Sequence, residues 1–104
     1  MNDPILQEIT QKISQALSPE KIFLFGSRSK GTQNSDSDYD IAVLMPATPS
    51  EKAFLMDKGH QSLWGVSASV DIVIIDTAEF SELHTVPNTM SSIISMEGIE
   101  LHVA

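Results

Sequence analysis

Residues 37–44 read Ser-Asp-Tyr-Asp-Ile-Ala-Val-Leu, in which two aspartates stand just before an apolar run. The run predicts a β-strand over residues 38–45. Side chains alternate between the two faces of a strand, so Asp38 and Asp40 are expected to point to the same face. Two carboxylates on one face repel each other unless a divalent cation lies between them. The stretch therefore predicts a strand with a charged site at its beginning.

A third aspartate stands at the start of the other strongly apolar run. Asp71 precedes Ile-Val-Ile-Ile at residues 72–75, and these β-branched residues predict a strand over residues 69–75. If the strands 38–45 and 69–75 are neighbours, about 4.8 Å apart, all three carboxylates can converge. Each aspartate motif alone is more often a solvated turn or strand start, but the joint pattern is uncommon. Because Mg²⁺ prefers oxygen ligands, the combination predicts a Mg²⁺ site.

A glycine turn upstream is suited to bind an anion. Residues 21–27 read Lys-Ile-Phe-Leu-Phe-Gly-Ser, which predicts a short buried strand over residues 21–25 that runs directly into Gly26 and Ser27. Glycine lets backbone N–H groups approach an anion closely, and serine adds a hydroxyl donor, so the turn suits a triphosphate. An ordinary strand-ending turn is the alternative, and the sequence has no Walker A motif at this point.

The remaining segments predict alternating helices and strands. Isoleucine or leucine recurs every fourth residue from Ile5 to Leu17, which predicts an amphipathic helix capped by Asp3. The alternation predicts an α/β fold, a single domain over residues 1–104 with a mixed β-sheet flanked by helices. The methionines, including Met56, Met90 and Met96, are predicted to fill the core. The other predicted elements are a helix over 4–17, a loop over 26–37 with a helical turn near 29–31, a helix over 50–63 capped by Ser50, a turn or short helix over 77–84, a helix over 87–96 closed by Gly98, and an edge strand over 99–103.

Composition and charge exclude several classes of protein. The chain of 104 residues is 41% hydrophobic, lacks cysteine and carries a formal net charge of −8. Residues 36–104 hold eleven acidic and two basic side chains, so a basic protein is a better partner than bare DNA or RNA. No apolar run approaches the roughly 20 residues that cross a bilayer, and the N-terminus has no secretory signal pattern. We therefore expect a cytoplasmic protein that contacts neither nucleic acid nor membrane.

Three motifs together carry a family resemblance. Gly-Ser-Arg-Ser-Lys-Gly at residues 26–31, Ser-Asp-Tyr-Asp-Ile at 37–41 and Val-Asp-Ile-Val at 70–73 resemble the minimal nucleotidyltransferase (MNT) family of the polymerase-β-like superfamily. The resemblance spans about residues 20–104 and implies a polymerase-β-like nucleotidyltransferase domain that uses ATP and two Mg²⁺ ions. The implied nucleotide-binding residues are Gly26, Ser27, Arg28 and Ser37, and the implied catalytic and metal-binding residues are Asp38, Asp40 and Asp71.

The resemblance also implies roles for individual residues. Gly26 and Ser27 would hold the β- and γ-phosphates of the nucleotide. Asp38 and Asp40 would bind the two Mg²⁺ ions. Asp71 would join the second ion and help to orient or deprotonate the attacking hydroxyl.

The family implies a protein partner as well. Stand-alone MNT proteins are commonly paired with a helical HEPN-family RNase toxin, and they act as antitoxins by transferring AMP from ATP to a toxin tyrosine. The resemblance therefore implies a protein adenylyltransferase. Two alternatives stay open: a small-molecule nucleotidyltransferase of the aminoglycoside type that works as a dimer, and a non-catalytic partner that only masks the toxin. The three aspartates speak against masking alone, because an inert scaffold gains nothing from mutually repelling acids.

Overall fold

The apolar run after the two aspartates is strand β2, Tyr39–Met45, and it lies between two other strands. β1, Lys21–Phe25, pairs with β2 in antiparallel orientation, and β3, Val70–Asp76, pairs with β2 in parallel orientation. β4, Ile99–Val103, pairs antiparallel with the other side of β1. The strand order is therefore β3-β2-β1-β4, and the predicted mixed sheet is confirmed.

Helices flank this sheet. The structure is a computed structural model, and it describes residues 3–34 and 37–103, without the side chain of residue 103. Residues 35 and 36 of the predicted loop lie outside this part. Among these residues no helix has both the length and the apolar character needed to cross a membrane. The helices are α1 (Pro4–Leu17), α2 (Ser27–Lys30), α3 (Pro49–Ser62), α4 (Thr77–Leu83) and α5 (Met90–Glu97).

The longer helices form a layer on each face of the sheet. α1 and α3 lie on the face to which Ile41 and Val43 of β2 point. α4 and α5 lie on the other face, where Ala42 and Leu44 are buried. Because side chains alternate along a strand, Asp40 is in phase with Ala42 and lies on the α4–α5 side. α2 follows β1 directly and lies at the end of the sheet.

Helix α1 has the bounds that the sequence predicts, and its cap is the predicted one. The Asp3 carboxylate accepts hydrogen bonds from the backbone N–H groups of Ile5 and Leu6, at 3.0 and 3.1 Å. Ile9 and Ile13 are fully buried against the sheet. The helix ends at Leu17, and its C-cap, Ser18, takes the left-handed conformation with φ 49°.

Two predicted helix ends were wrong in detail. α3 is capped by Thr48 rather than Ser50, because Pro49 occupies the first helical position and Glu51 completes a capping box with Thr48. Gly98 ends α5 but has φ −71°, so it is not a left-handed cap. A side chain at Gly98 would instead meet the carbonyl oxygen of Ile94, and close packing is what requires glycine there.

The prediction that the methionines fill the core was wrong for two of them. Met96 is 83% exposed and Met90 is 44% exposed, whereas Met56 packs partly buried against the core. α5 also begins at Met90, three residues later than predicted, because Thr89 caps it.

The pairing of β4 with β1 is interrupted by a bulge. The register shifts between Ile22 and Phe23, which pair with His102 and Glu100, so Leu101 is the extra residue of the edge strand.

Replacing Asp3 by alanine is expected to lower the free energy of unfolding by about 1–2 kcal/mol at neutral pH, because α1 loses its cap and the Tyr39 hydroxyl loses its acceptor. Burial raises the pKa of Asp3, but hydrogen bonds from Leu6, Tyr39 and Ile5 outweigh it and bring the pKa below 3.8. Stability from a lowered carboxyl pKa is present above the unfolded-state pKa and is lost as the pH falls through the folded-state pKa.

The difference between the wild type and Asp3→Ala in urea unfolding should therefore narrow below about pH 4. A difference that stays constant across the acid range would contradict this account of the cap.

Candidate active site

The end of β1 and the beginnings of β2 and β3 meet at one end of the sheet. Phe25 of β1 pairs with Asp40 of β2, and Asp40 pairs in register with Asp71 of β3. Paired residues of neighbouring strands point to the same face, so both aspartates belong to the α4–α5 side. The sequence-based expectation that strands β2 and β3 are neighbours is thus met.

The pKa of the Asp40 carboxyl responds to the charges of the other two predicted aspartates. Burial raises the pKa of the Asp40 carboxyl, and the negative charges of Asp71 and Asp38 raise it further. Asp40 itself is half-buried, whereas Asp38 and Asp71 are exposed. The charged form of Asp40 is therefore disfavoured at this place in the fold, and a neighbouring cation would relieve the repulsion.

The donor set fits a hard cation, although the side chains do not converge as ligands. Within residues 3–34 and 37–103, no group of three or more His, Cys, Asp or Glu side chains is arranged to hold a metal ion. The charges of Asp38 and Asp71 nevertheless act on Asp40, and all three groups offer carboxylate oxygens. These residues are therefore the ones that could hold Mg²⁺, and to do so their side chains would have to turn toward a common centre.

Gly26 brings the loop after β1 against Asp40. It has φ 75° and ψ −155°, a region of backbone conformation used almost only by glycine. A Cβ at this position would overlap the Asp40 carboxylate. α2 begins at the next residue, Ser27, and the Ser29 hydroxyl donates to the Gly26 carbonyl at 2.8 Å. The predicted phosphate-binding turn and the predicted metal-binding strand are therefore in direct contact.

Arg28 and Ser37, both predicted to bind the nucleotide, contact each other. Arg28 donates from Nε and Nη2 to the Ser37 carbonyl oxygen, at 3.1 and 2.8 Å. Its guanidinium carbon also lies 3.9 Å from the centre of the Tyr39 ring. These contacts hold α2 against the segment that leads into β2. Nucleotide binding by Arg28 and Ser37 stays a prediction.

Sequence reasoning missed the part that Asp3 and Tyr39 play beneath this loop. The buried Tyr39 hydroxyl donates to Asp3 Oδ2 at 2.8 Å, while Asp3 Oδ1 caps α1. Burial raises the pKa of Tyr39, and its hydrogen bond to Asp3 adds to the effect. The two residues are 36 positions apart, so no local pattern could have paired them.

An ion pair links the loop to the helix layer on the same side. Lys30 Nζ of α2 lies 3.3 Å from Glu97 Oε1 at the end of α5. Both side chains are about half-exposed, so the pair contributes little stability. The contact does show that the end of α5 lies close to α2, which follows the turn at Gly26.

Known proteins share this fold. A family model described as polymerase beta, nucleotidyltransferase matches residues 7–97. A protein from Sulfolobus solfataricus, provisionally described as a nucleotidyltransferase, superposes with a TM-score of 0.64 at 19% identity, over 95% of this chain and 78% of that chain.

Two toxin–antitoxin structures are also similar. One contains AMP-PNP and gives a TM-score of 0.59 at 26% identity, over 94% of this chain and 73% of that chain. The other is a mutant of MntA-HpeT with two aspartate-to-glutamate substitutions. It gives a TM-score of 0.59 at 24% identity, over 93% of this chain and 72% of that chain. Among curated protein sequences, none matches.

Gly26→Ala is expected to lower the free energy of unfolding by on the order of 3 kcal/mol, because its backbone conformation excludes other residues and the added methyl group overlaps Asp40. Gly31→Ala is the matched control. Gly31 also has φ 75°, but a Cβ there meets nothing within 4 Å, so a loss on the order of 1 kcal/mol is expected. Equal losses in chemical denaturation would contradict a tight contact at Gly26.

Asp40→Asn is expected to raise the melting temperature at neutral pH by a few degrees, because it removes a charge that burial and two neighbouring aspartates disfavour. A raised carboxyl pKa lowers stability as the pH rises from the unfolded-state value, near 3.8, through the folded-state value. The gain in melting temperature of Asp40→Asn should therefore disappear below the unfolded-state pKa of Asp40, near 3.8.

Asp57→Asn is the control for this measurement, because it removes one charge from an exposed position of α3. If the two variants gained the same stability, net charge rather than the aspartate cluster would be the cause.

Proposed function

Because this chain belongs to the polymerase beta nucleotidyltransferase family, we propose that it is a Mg²⁺-dependent protein adenylyltransferase that transfers AMP from cytoplasmic ATP to a tyrosine hydroxyl of a HEPN-family toxin. The observation that carries the proposal is the in-register pair of Asp40 and Asp71 against the turn at Gly26. The neighbouring toxin–antitoxin structure that contains AMP-PNP supports an adenine nucleotide and a toxin partner.

Nucleotide binding is assigned to the turn between β1 and α2. Gly26 has no side chain, so its backbone can lie close to a phosphate while it touches Asp40. Ser27, the first residue of α2, offers its hydroxyl and backbone N–H to the β- and γ-phosphates. The contacts of Arg28 with Tyr39 and Ser37 fix this turn relative to β2 and limit the reorganisation needed when the nucleotide binds.

The aspartates are assigned to the transfer step. Bound Mg²⁺ supplies charge neutralisation at the phosphates and a lowered pKa for the acceptor hydroxyl. Asp38 and Asp40 would hold the cations, and Asp71 would join the second cation and help to orient the acceptor hydroxyl or to take up its proton. The acceptor oxygen forms a bond to the α-phosphorus, the bond from that phosphorus to the β-phosphate oxygen breaks, and pyrophosphate leaves. AMP remains on the acceptor through a phosphodiester bond.

The charge of the chain supports a basic acceptor protein. The formal net charge is −8, and the strands and helices from β2 onward hold most of the acidic side chains. A nuclease that binds RNA needs basic groups to neutralise phosphates. Opposite charges on the two proteins would steer their association and favour the complex over binding of free nucleic acid.

The purified chain, incubated with its cognate HEPN-family toxin, ATP and Mg²⁺, is expected to add AMP to the toxin, seen as a mass increase of one or more AMP units. Asp38→Asn should abolish the increase, because it removes a metal ligand, whereas Asp57→Asn on α3 should leave it unchanged. Mg²⁺ with ATP should also raise the melting temperature of the chain, because a ligand at a hundredfold excess over its Kd adds about 2.7 kcal/mol to the free energy of unfolding.

The alternatives give different results in the same assay. A toxin that binds and is inhibited without a change of mass would indicate masking. AMP found on an added aminoglycoside, and none on the toxin, would indicate the small-molecule transferase. Either result would overturn the proposed function.

A further inference from the structure

Helix α5 buries two of its serines and exposes three of its four apolar side chains. Ser91 and Ser92 are 2% and 5% exposed, and Ile94 is the apolar residue of α5 that is buried. Met90, Ile93 and Met96 follow one another at a spacing of three, so they share one side of the helix. They are 44%, 40% and 83% exposed. A helix that packs only against its own sheet shows the opposite arrangement.

The exposed side of α5 continues into the preceding loop. Val86 is also exposed, and a groove of about 680 Å³ lies between this loop and the helix. We call the exposed side chains of Val86, Met90, Ile93 and Met96 the α5 surface. Ile93 and Met96 line this groove, together with residues of the loop and Glu97. Single exposed apolar residues are ordinary, but four within residues 86–96, two of them lining a groove, are typical of a contact surface.

The α5 surface lies beside the candidate active site. α5 packs on the face of the sheet to which Asp40 and Asp71 belong. The ion pair of Glu97 with Lys30 joins the C-terminal end of α5 to α2, directly after the turn at Gly26. Met96, the most exposed member of the surface, precedes Glu97. A protein that covers Met96 would therefore reach the place where the reaction is proposed to occur.

The charge of the chain distinguishes the two kinds of protein that could cover this surface, a second copy of the chain and a basic protein. Glu97 of α5 lines the groove, and the whole chain carries a net charge of −8. A second copy would bring the same acidic groups against the first, and the like charges would repel. A protein with apolar side chains at the centre of its contact area and Lys or Arg at the rim complements both features. Methionine side chains adapt readily to such a partner.

We propose that the α5 surface is the docking site of the basic acceptor protein, and that docking there presents the acceptor hydroxyl to Asp40 and Asp71. This inference rests on the proposed function, because it names the surface through which the acceptor reaches the same site. It assigns to Met96 a role in recognition and none in nucleotide binding.

The test compares Met96→Asp with Phe54→Asp in the full chain. Phe54 is 67% exposed on α3, in the helix layer on the opposite face of the sheet, so the control makes the same chemical change away from the site. Met96→Asp is expected to weaken binding of the cognate HEPN-family toxin at least tenfold and to raise the KM for the toxin with little change in kcat. Met96→Leu should retain binding, and Phe54→Asp should match the wild type.

A second measurement separates this inference from the proposed function. The rise in melting temperature with Mg²⁺ and ATP should be the same in the wild type and Met96→Asp, which also shows that the variant is folded. If toxin binding is lost in Met96→Asp but the wild type transfers no AMP, the docking site stands and the proposed function fails. If the wild type transfers AMP and Met96→Asp does so with unchanged KM, the docking site is wrong.

Two other outcomes would also overturn the docking site. Loss of toxin binding in Trp64→Asp, with binding retained in Met96→Asp, would place the partner at the turn after α3, where Trp64 is 89% exposed. A wild-type dimer that Met96→Asp dissociates, with toxin binding unchanged, would show that the surface joins two copies of this chain.

Discussion

The in-register parallel pairing of β2 with β3 is the constraint on which the site depends. Ile41 and Ile72 face one helix layer and Ala42 and Val73 face the other, so both strands are buried on both faces. A shift by one residue would turn every side chain of a strand to the wrong layer. The apolar residues thereby fix the register, and the register holds Asp40 beside Asp71 although the two carboxylates repel each other. The packing of the core thus offsets the electrostatic cost of placing these two carboxylates side by side.

The second support of the site is the chain of contacts from α1 to α2. Asp3 caps α1 and accepts the Tyr39 hydroxyl, and the ring of Tyr39 lies under the Arg28 guanidinium. One buried aromatic residue thus connects a helix of the first layer, the strand that carries Asp40, and the loop at Gly26. The segment at the start of β2 is held from both sides, while the aspartates themselves remain accessible. These contacts limit how far the start of β2 can move relative to α1 and α2.

Local patterns predicted much of this structure, and the failures have physical causes. The bounds of α1 followed from apolar residues at every fourth position, and those of β1 from an apolar run that ends at Gly26. Both signals lie within the element or directly next to it. The approach of Asp40 and Asp71 could be anticipated, since each begins a strand that must be buried. The contact of Asp3 with Tyr39 depends on tertiary packing, which no local repeat records. Met96 was misplaced because its apolar character indicates burial without saying whether its own chain or another protein covers it.

The bulge at Leu101 has a consequence for the behaviour of the protein in concentrated solution. β4 is the outer strand beside β1, and an incoming strand would find its amide and carbonyl groups out of step at this residue. Ladder-like growth of the sheet from copy to copy is therefore impeded at that edge. The interruption gives the chain resistance to fibre formation there, at the cost of a less regular pairing with β1.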